Sequence, residues 1–307
     1  MNPIAIIIYD MKIFASSDIH VDFKKNASAF ELPKILENSI LREKEDCVFV
    51  IVGDVAQNLP LFHNFLDSFR HIKIPKLFTA GNHDIWVEPR GLDSFMKYSL
   101  SLKEAVHDAG FHYLDFAPFV LGNIGIAGNI GWYDYSFRRN DLPLPEDYRI
   151  VRIGEKALTS WNELDTEDYR RKTLYAEING RLHLITRWND IVHIRWQMQD
   201  EEFVAYCLKK IQKDFDLIQD KVDKILFCSH HIHFRDCVQY RDIPKWDYNL
   251  AYYGSEKIGD FLLEQKKLAA TIFAHSHVPD ARVIRPNLMS YNFPFDYRHP
   301  ALHSITI

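Results

Sequence analysis

Five short polar motifs occur along the chain, and each comes just after an apolar run that predicts a β-strand. Their side chains are carboxylates, a carboxamide and imidazoles, which can ligate a metal ion or transfer a proton. Strand ends in α/β sheets meet at one edge, where ligands are usually bound, so we expect these motifs to lie together. In chain order they are Asp18-Ile19-His20, Gly53-Asp54, Gly81-Asn82-His83-Asp84, His230-His231 and His275-Ser276-His277.

The donor types narrow the chemistry of such a site. Mixed oxygen and nitrogen donors suit Zn²⁺, Mn²⁺, Fe²⁺ or Co²⁺ better than Ca²⁺ or a thiolate site. Asp18 and His20 are two residues apart, so both can point to the same side of extended backbone, and the same holds for His275 and His277. Each pair can serve one metal or two neighbouring metals, and a carboxylate such as that of Asp54 can bridge two cations.

Each motif alone also has an ordinary structural interpretation. A buried histidine is more often a hydrogen-bonded core residue than a ligand, and Gly-Asp is more often a turn. The motif Gly81-Asn82-His83-Asp84 is stronger evidence for a functional site, because packing in the core does not explain three polar side chains directly after a buried strand. The five motifs together therefore favour a functional site over a set of unrelated structural features.

Composition limits the classes of protein that fit. The chain has 307 residues, of which 47% are hydrophobic and 26% charged, as in ordinary globular domains. The formal net charge of −5 disfavours a protein that coats nucleic acid, which needs a basic surface. Four cysteines without a CxxC pair fit a reducing cytoplasm and buried apolar roles; they are Cys47, Cys207, Cys228 and Cys237.

The first residues do not have the features of a targeting segment. The apolar run at residues 4–8 has no basic stretch before it and is too short for a signal sequence or a membrane span. Met11 is a candidate natural start, because the first clear strand begins there. The alternative is that residues 4–8 add a strand of their own.

Apolar runs alternate with amphipathic stretches, which predicts α/β layers. The run CVFVIV at 47–52 is continuously apolar and rich in β-branched residues, as in a strand buried on both faces. Further strands are predicted at 12–16, 76–79, 119–121, 124–127, 224–228 and 271–274, and short antiparallel strands from 281 on. Helices are predicted at 29–43, 61–69, 92–109 (with Gly110 as its C-terminal cap), 201–218 and 256–266.

The alternation of apolar runs and amphipathic stretches is lost at residues 131–200, which hold four of the six tryptophans. We interpret them as a helical, aromatic-rich insertion or cap within a single domain that spans residues 1–307. Asp134 and Arg138 are candidates for the substrate entrance, although a small aromatic core is the favoured interpretation of this stretch. Arg235 could meet a substrate phosphate, but a solvated loop arginine is the simpler interpretation.

Taken in order, the five motifs resemble the signature of the calcineurin-like metallophosphoesterases, and they span residues 18 to 277. The resemblance implies a four-layer αββα sandwich with a dinuclear metal site at its loop edge. It assigns Asp18, His20 and His277 to the first metal, with Asp54 as the bridge. It assigns to the second metal Asn82, His230 and His275. It also places His83 beside the metals as a catalytic residue, oriented by Asp84.

The sequence departs from the family pattern at two points. Ala274 stands where the family's last motif usually begins with glycine, which removes no ligand. The fourth motif offers three histidines, of which His230 is our choice and His231 the alternative. His233 could contact substrate or lie on the surface.

The resulting hypothesis is a metal-dependent hydrolase of small phosphomonoesters or phosphodiesters, with nucleotides among the candidate substrates. Two divalent ions (Mn²⁺, Fe²⁺/Fe³⁺ or Zn²⁺) would hold a bridging hydroxide that attacks phosphorus in line, and His83 would stabilise or protonate the leaving oxygen. The alternatives are a catalytically inactive metal-binding scaffold for protein interaction and a mononuclear zinc hydrolase. The native metals, the substrate and the oligomeric state stay open.

Overall fold

Two β-sheets pack face to face, and helices cover their outer faces, which confirms the predicted four-layer αββα sandwich. The structure is a computed structural model that describes residues 11–43, 46–89, 91, 93–141, 148–151, 157–158, 160–298 and 302–307. Residues 4–8, the candidate extra strand, lie outside the described residues. None of the helices in the described ranges is long and apolar enough to cross a membrane.

The strands alternate with helices through most of the chain, as predicted. The strands are β1 Met11–Ser16, β2 Asp46–Val52, β3 Lys76–Thr79, β4 His112–Tyr113, β5 Phe119–Leu121, β6 Ile124–Asn129, β7 Tyr148–Val151, β8 Ala157–Leu158, β9 Thr173–Ile178, β10 Arg181–Arg187, β11 Lys224–Ser229, β12 Leu268–Phe273, β13 Asp280–Arg285, β14 Leu288–Asn292 and β15 His303–Thr306. The α-helices are α1 Leu32–Ile40, α2 Leu59–Asp67, α3 Ser94–Met96, α4 Leu102–Asp108, α5 Thr166–Arg170, α6 Asp190–His193, α7 Asp200–Ile218, α8 Pro244–Asn249 and α9 Glu256–Leu263.

The first sheet has the strand order β15-β1-β2-β3-β4, and the second has the order β13-β14-β12-β11-β6-β5. The central strands of each sheet are parallel to one another. The carboxyl ends of parallel strands share one edge, so the loops after β1, β2, β3, β11 and β12 all leave the sandwich on the same side.

Strand β2 is buried on both faces of the first sheet, because its side chains point alternately into two apolar cores. Val48 and Val50 point into the apolar core between the sheets, whereas Phe49 and Ile51 point into the core under the helices. All four side chains are fully buried, as its continuous apolar run predicts. In the second sheet, Phe227 of β11 likewise points outward, into the core that α7 and α9 cover.

The helix predicted at 92–109 is interrupted. A π-helical turn, Lys97–Ser101, separates α3 from α4, and Gly110 follows the end of α4 with a positive φ of 77°. Glycine adopts that conformation without strain, so it ends the helix as predicted. All four cysteines lie in the described residues, where they are buried and form no disulfide bond.

The segment 131–200 differs from the predicted helical insertion. Its largest feature is an antiparallel sheet with the order β10-β9-β7-β8, and α5 and α6 are short. Asn179 and Gly180 join β9 to β10 with φ values of 52° and 72°. An Asn-Gly pair with both residues left-handed is the turn that a tight hairpin prefers, so the sequence did contain a signal for this sheet.

The aromatic residues of this segment form a core, as the favoured interpretation had it, but a residue from outside the segment also belongs to that core. Tyr133 and Tyr135 are fully buried and pack edge-on against Tyr252, with ring centroids 5.5 and 5.9 Å apart. Trp188 stacks on the same Tyr252 ring at 5.3 Å. The segment is thereby anchored beside the loop edge of the second sheet.

Candidate metal centre

The five motifs do come together at the loop edge of the sandwich. Hydrogen bonds tie the loops: His20 N donates to Asp54 O (2.9 Å), and His275 N donates to the Asp18 carboxylate (3.1 Å). The second bond joins the two sheets. Since Asp18 and His275 are 257 residues apart, the site depends on the packing of the whole sandwich.

Many of the candidate ligands have left-handed backbone, which costs energy in residues other than glycine. Such strain persists where the surrounding structure imposes it, and it is concentrated at functional sites. The residues and their φ values are Asp18 (53°), His20 (45°), Asp54 (57°), His275 (71°) and His277 (54°).

Asp18, His20 and His277 form one group of potential ligands, with one donor atom from each lying within 4.8 Å of the others. Nε2 of His277 lies 3.7 Å from the Asp18 carboxylate, and the His277 ring stacks on that of His20. Two imidazoles and a carboxylate at such distances could hold a divalent ion of the zinc or manganese type.

A second group surrounds His230. Its Nε2 lies 3.0 Å from Nδ1 of His275, 3.2 Å from Oδ1 of Asn82 and 3.3 Å from Oδ2 of Asp54. All four side chains are buried. Their donor atoms face a common point, as they would around a second ion.

Asp54 lies between the two groups and provides a test of whether metals fit. Its Oδ2 atom is 3.5 Å from Nε2 of His20 in the first group and 3.3 Å from Nε2 of His230 in the second. The atom is buried, and none of the described residues donates to it with hydrogen-bond geometry. A buried carboxylate oxygen without a donor is costly, and two cations on either side would remove that cost, so the donor set fits a dinuclear centre.

The charge of His230 keeps Asp54 ionised. Burial works to raise the pKa of Asp54, but the neighbouring His230 holds that pKa well below its ordinary value. Burial by itself would lower the pKa of His230. The negative charge of Asp54 outweighs this effect and raises the pKa of His230 to about 9. In the protein alone, a protonated His230 thus partly supplies the positive charge that this carboxylate needs.

The structure distinguishes the three histidines that follow β11. His230 faces the candidate ligands, whereas Nδ1 of His231 lies 3.1 Å from Ile130 O and its ring packs on Trp132. His233 is buried, not on the surface, and its Nδ1 lies 2.9 Å from Ser229 Oγ. The ring of His231, the alternative to His230, lies 4.5 Å from that of His275, but of these two candidates only His230 belongs to a group of potential metal ligands among the described residues.

His83 lies beside the first group and Asp54. Its ring is 4.5 Å from the His20 ring and stacks on Trp86 at 3.6 Å. His193, on α6, stacks on the other face of Trp86 at 4.4 Å. Burial lowers the pKa of His83 to about 3, so its ring is a neutral imidazole with one N–H group to donate.

Asp84 has a different role from the one expected. Instead of orienting the His83 ring, its carboxylate accepts backbone N–H groups from the loops that carry Asp54 and Asn82, at distances of 2.8 to 3.0 Å. The donors are Asp54, Val55, Ala56 and Gly81. Burial, with Asp54 adding to its effect, raises the pKa of Asp84 to about 7. Asp84 thus holds two ligand-bearing loops together, and Trp86 is the group that positions His83.

Glycine and alanine shape the same loops. A Cβ atom at Gly81 would lie 2.2 Å from Oδ1 of Asp54, and one at Gly53 would lie 2.6 Å from Nδ1 of His230, so neither position has room for a side chain. Ala274 donates its N–H to His230 O at 3.0 Å, and the left-handed residue of this turn is His275. The departure from glycine at position 274 leaves the loop geometry intact.

Asp190 was missed by the sequence analysis. It is 1% exposed and lies at the start of α6. Its Oδ1 accepts from Asn82 Nδ2 (3.0 Å) and Trp86 Nε1 (2.7 Å), and its Oδ2 accepts from Tyr133 Oη (2.9 Å) and Trp188 Nε1 (2.8 Å). One carboxylate therefore holds a candidate ligand and the tryptophan that supports His83.

A cavity of about 580 Å³ opens over the candidate ligands. Asp54, Asn82, His83 and His277 line it on one side. The segment from Leu184 to Asn189, together with Lys245, Asn249 and Tyr253, supplies the remaining wall. The 131–200 segment thus contributes directly to the space that a substrate would enter.

Three residues that were considered for substrate contact lie elsewhere. Arg138 and Arg235 line a separate cavity of about 820 Å³, which contains none of the candidate ligands. Asp134 pairs with Lys257 at 3.2 Å. These residues do not take part in the site described above.

Comparisons with known proteins identify a protein of similar fold and the family of the chain. The solved structure of a phosphopantetheinyl hydrolase from Mycobacterium tuberculosis is similar, with a TM-score of 0.61 and 17% identity over 97% of this chain and 96% of that one. A dimetal phosphatase from Danio rerio has a TM-score of 0.46 and 12% identity over 96% and 91% of the two chains. No curated protein sequence matches the chain. The sequence model of the calcineurin-like phosphoesterases matches residues 11–279, and the chain therefore belongs to this family.

Proposed function

We propose that the protein hydrolyses a phosphorus–oxygen bond of a small phosphomonoester or phosphodiester, using two divalent ions. The observation that carries the proposal is the position of Asp54. Its Oδ2 atom lies between two groups of potential ligands, and in the described parts of the chain no donor meets it with hydrogen-bond geometry. A bridging carboxylate between two ions is the arrangement expected of a two-metal hydrolase.

In this proposal one ion is held by Asp18, His20 and His277, and Asp54 is shared. The other is held by Asn82, His230 and His275. When bound, the ions offset charge on the phosphoryl oxygens and lower the pKa of the water that attacks phosphorus. The donor set suits Mn²⁺, iron or Zn²⁺.

His83 acts on the leaving group. Its ring lies next to His20 and Asp54 and lines the cavity, so its N–H can donate to the oxygen on which charge develops as the bond breaks. Trp86 limits rotation of this ring by stacking on it, and Asp190 fixes Trp86 through its Nε1. His83 is therefore the catalytic residue, and Trp86 and Asp190 are positioning residues.

The test is a substrate panel on protein reconstituted with Mn²⁺, together with elemental analysis. The panel contains 4-nitrophenyl phosphate, bis(4-nitrophenyl) phosphate, nucleotides and a phosphopantetheinyl ester, since the similar mycobacterial protein is named for that group. We expect two metal equivalents per chain and turnover of at least one ester class. The isosteric Asp54→Asn variant should lose both.

Two other results would replace the proposal. Two bound metals without turnover of any ester would favour the protein-binding scaffold. One metal equivalent with full activity would favour a mononuclear hydrolase, which needs only three protein ligands and one open position.

A further inference from the structure

The wall of the site cavity carries two cations that have no partner. Arg187, at the end of β10, and Lys245, on α8, both line the cavity of about 580 Å³. Within the described residues, neither side chain makes an ion pair or a hydrogen bond. Both are exposed, so they lie where the cavity opens to solvent.

Two cations of the other large cavity are paired, in contrast to these. Arg139 there pairs with Asp141 (2.8 Å) and Asp247 (3.2 Å), and Arg235 pairs with Glu256. In the part of the chain that the structure describes, neither Arg187 nor Lys245 forms an ion pair of this kind. Two free cations therefore face the site in a chain whose formal net charge is −5.

The elements that carry these cations are fixed relative to the site. Thr186 Oγ1 donates to Asn249 Oδ1 (3.1 Å), which joins β10 to α8. Lys245 and Asn249 are four residues apart on α8 and so share one face of the helix. Arg187 adjoins Trp188, whose ring lies 5.4 Å from the ring of His275. Arg187 is thus next in sequence to a residue that packs against a candidate ligand. Lys245 lies one helical turn from a residue that is hydrogen-bonded to β10.

The candidate metal ligands come from other loops, and the reacting phosphoryl group would be bound there. From this separation we propose that Arg187 and Lys245 bind a second anionic group of the substrate, a phosphate being the group that fits a guanidinium and an ammonium best. The inference rests on the proposed function, and it narrows the substrate to phosphoesters with two separated negative groups.

The experiment compares adenosine 3′,5′-bisphosphate with adenosine 5′-monophosphate as competitors of whichever nitrophenyl ester the Mn²⁺-loaded protein hydrolyses. We expect the bisphosphate to compete about tenfold better or more, because charge-assisted hydrogen bonds are strong. Arg187→Gln and Lys245→Gln should each reduce that ratio by about threefold to tenfold. The preference should shrink at high salt, since exposed charges are screened.

Two control variants remove exposed cations that do not line the cavity. Arg181→Gln changes the other end of β10, and Lys209→Gln changes an exposed position of α7. Both should retain the wild-type ratio. A ratio near one in the wild type, or an equal loss of the ratio in all four variants, would overturn the proposal, because the effect would then come from the overall charge.

A second readout does not depend on turnover. Acylation of lysines by an N-hydroxysuccinimide ester, followed by peptide mass spectrometry, measures access to each amine. Bisphosphate should slow modification of Lys245 several-fold more than monophosphate does, and Lys209 should react equally with both. Protection of Lys245 in a protein that hydrolyses no ester would uphold the anion site while the proposed function fails. Equal rates at Lys245 with both nucleotides would refute the anion site.

Discussion

Asp190 Oδ1 lies 3.0 Å from Nδ2 of Asn82, although the two residues are 108 positions apart in the sequence. Because the amide nitrogen donates to Asp190, the amide oxygen is turned toward Nε2 of His230, 3.2 Å away. The 131–200 segment therefore sets the orientation of a candidate ligand that is carried by the first sheet. Groups that orient a metal ligand commonly affect metal affinity, and their loss typically costs about 10–100-fold in affinity or activity.

Asp190→Asn should weaken binding of one of the two ions. An amide at this position can accept hydrogen bonds through only one of its two polar atoms, and its NH₂ would face groups that donate. We expect a loss of about 10–100-fold in affinity at the Asn82 position or in kcat. A titration with a metal-sensitive dye and elemental analysis would measure it.

Asp200→Asn is the matched control for that variant. Asp200 is also a buried carboxylate near the 131–200 segment, and it accepts from Trp132 Nε1 (2.8 Å) and Lys172 Nζ (2.6 Å) without contacting a candidate ligand. The Asp200→Asn variant should have a lower melting temperature than the parent and an unchanged metal affinity. Equal weakening of metal binding in both variants would mean that Asp190 supports the fold only.

His83→Ala should retain both metals and lose kcat. A group that assists the leaving oxygen typically contributes about 10²–10⁴-fold, and more when the leaving group is a poor one. Kinetics on a series of phenyl esters with leaving groups of increasing pKa would reveal a steeper dependence in the variant. An identical rate loss across the whole series would argue against assistance of the leaving group.

The sequence was sufficient for the elements that position the site, because buried parallel strands have continuous apolar runs. Strands Lys76–Thr79 and Phe119–Leu121 have the predicted bounds, and α7 begins one residue before its predicted start. The left-handed turns after the strands then place polar side chains at one edge of the sandwich. His230 was selected over His231 by analogy alone, and the structure supplies the geometric reason.

The 131–200 segment could not be predicted as well. The hairpin turn at Asn179-Gly180 was visible in the sequence, but the charges of the flanking strands concealed their alternation. Asp190 gave no signal, because its donors Asn82, Tyr133 and Trp188 meet only in the folded chain. Asp84 was misjudged since its partners are backbone groups, which no side-chain pattern reveals.

Asp84→Asn distinguishes the observed role of this residue from the expected one. The variant would leave at least one buried N–H group without an acceptor, and it should lower the free energy of unfolding by about 1–3 kcal/mol. Denaturant unfolding of the metal-free protein would measure the change. If Asp84 instead orients His83, stability would be unchanged and only kcat would fall.

Asp214, on α7, makes stability depend on pH. It is 4% exposed, its Oδ2 has no hydrogen-bond partner among the described residues, and burial raises its pKa to about 6. A folded-state pKa above the ordinary value means that the folded protein binds the proton more tightly than the unfolded chain does. Its contribution to stability is therefore fully present below about pH 4 and is lost as the pH rises through about 6.

Asp214→Asn removes this titration. The variant should be more stable than the parent at pH 8 by roughly 1 kcal/mol. The difference should vanish near pH 4. Melting temperatures of both proteins across this pH range provide the check, and a constant difference at every pH would contradict the assignment.

The proposed function requires that Asp54 bridge two ions. An anomalous difference map from crystals of the Mn²⁺-loaded protein would show the positions of those ions. We expect two peaks roughly 3.5–4 Å apart, one on each side of the Asp54 carboxylate, with the first beside Asp18, His20 and His277 and the second beside Asn82, His230 and His275. A single peak, or two peaks that do not share Asp54, would contradict it.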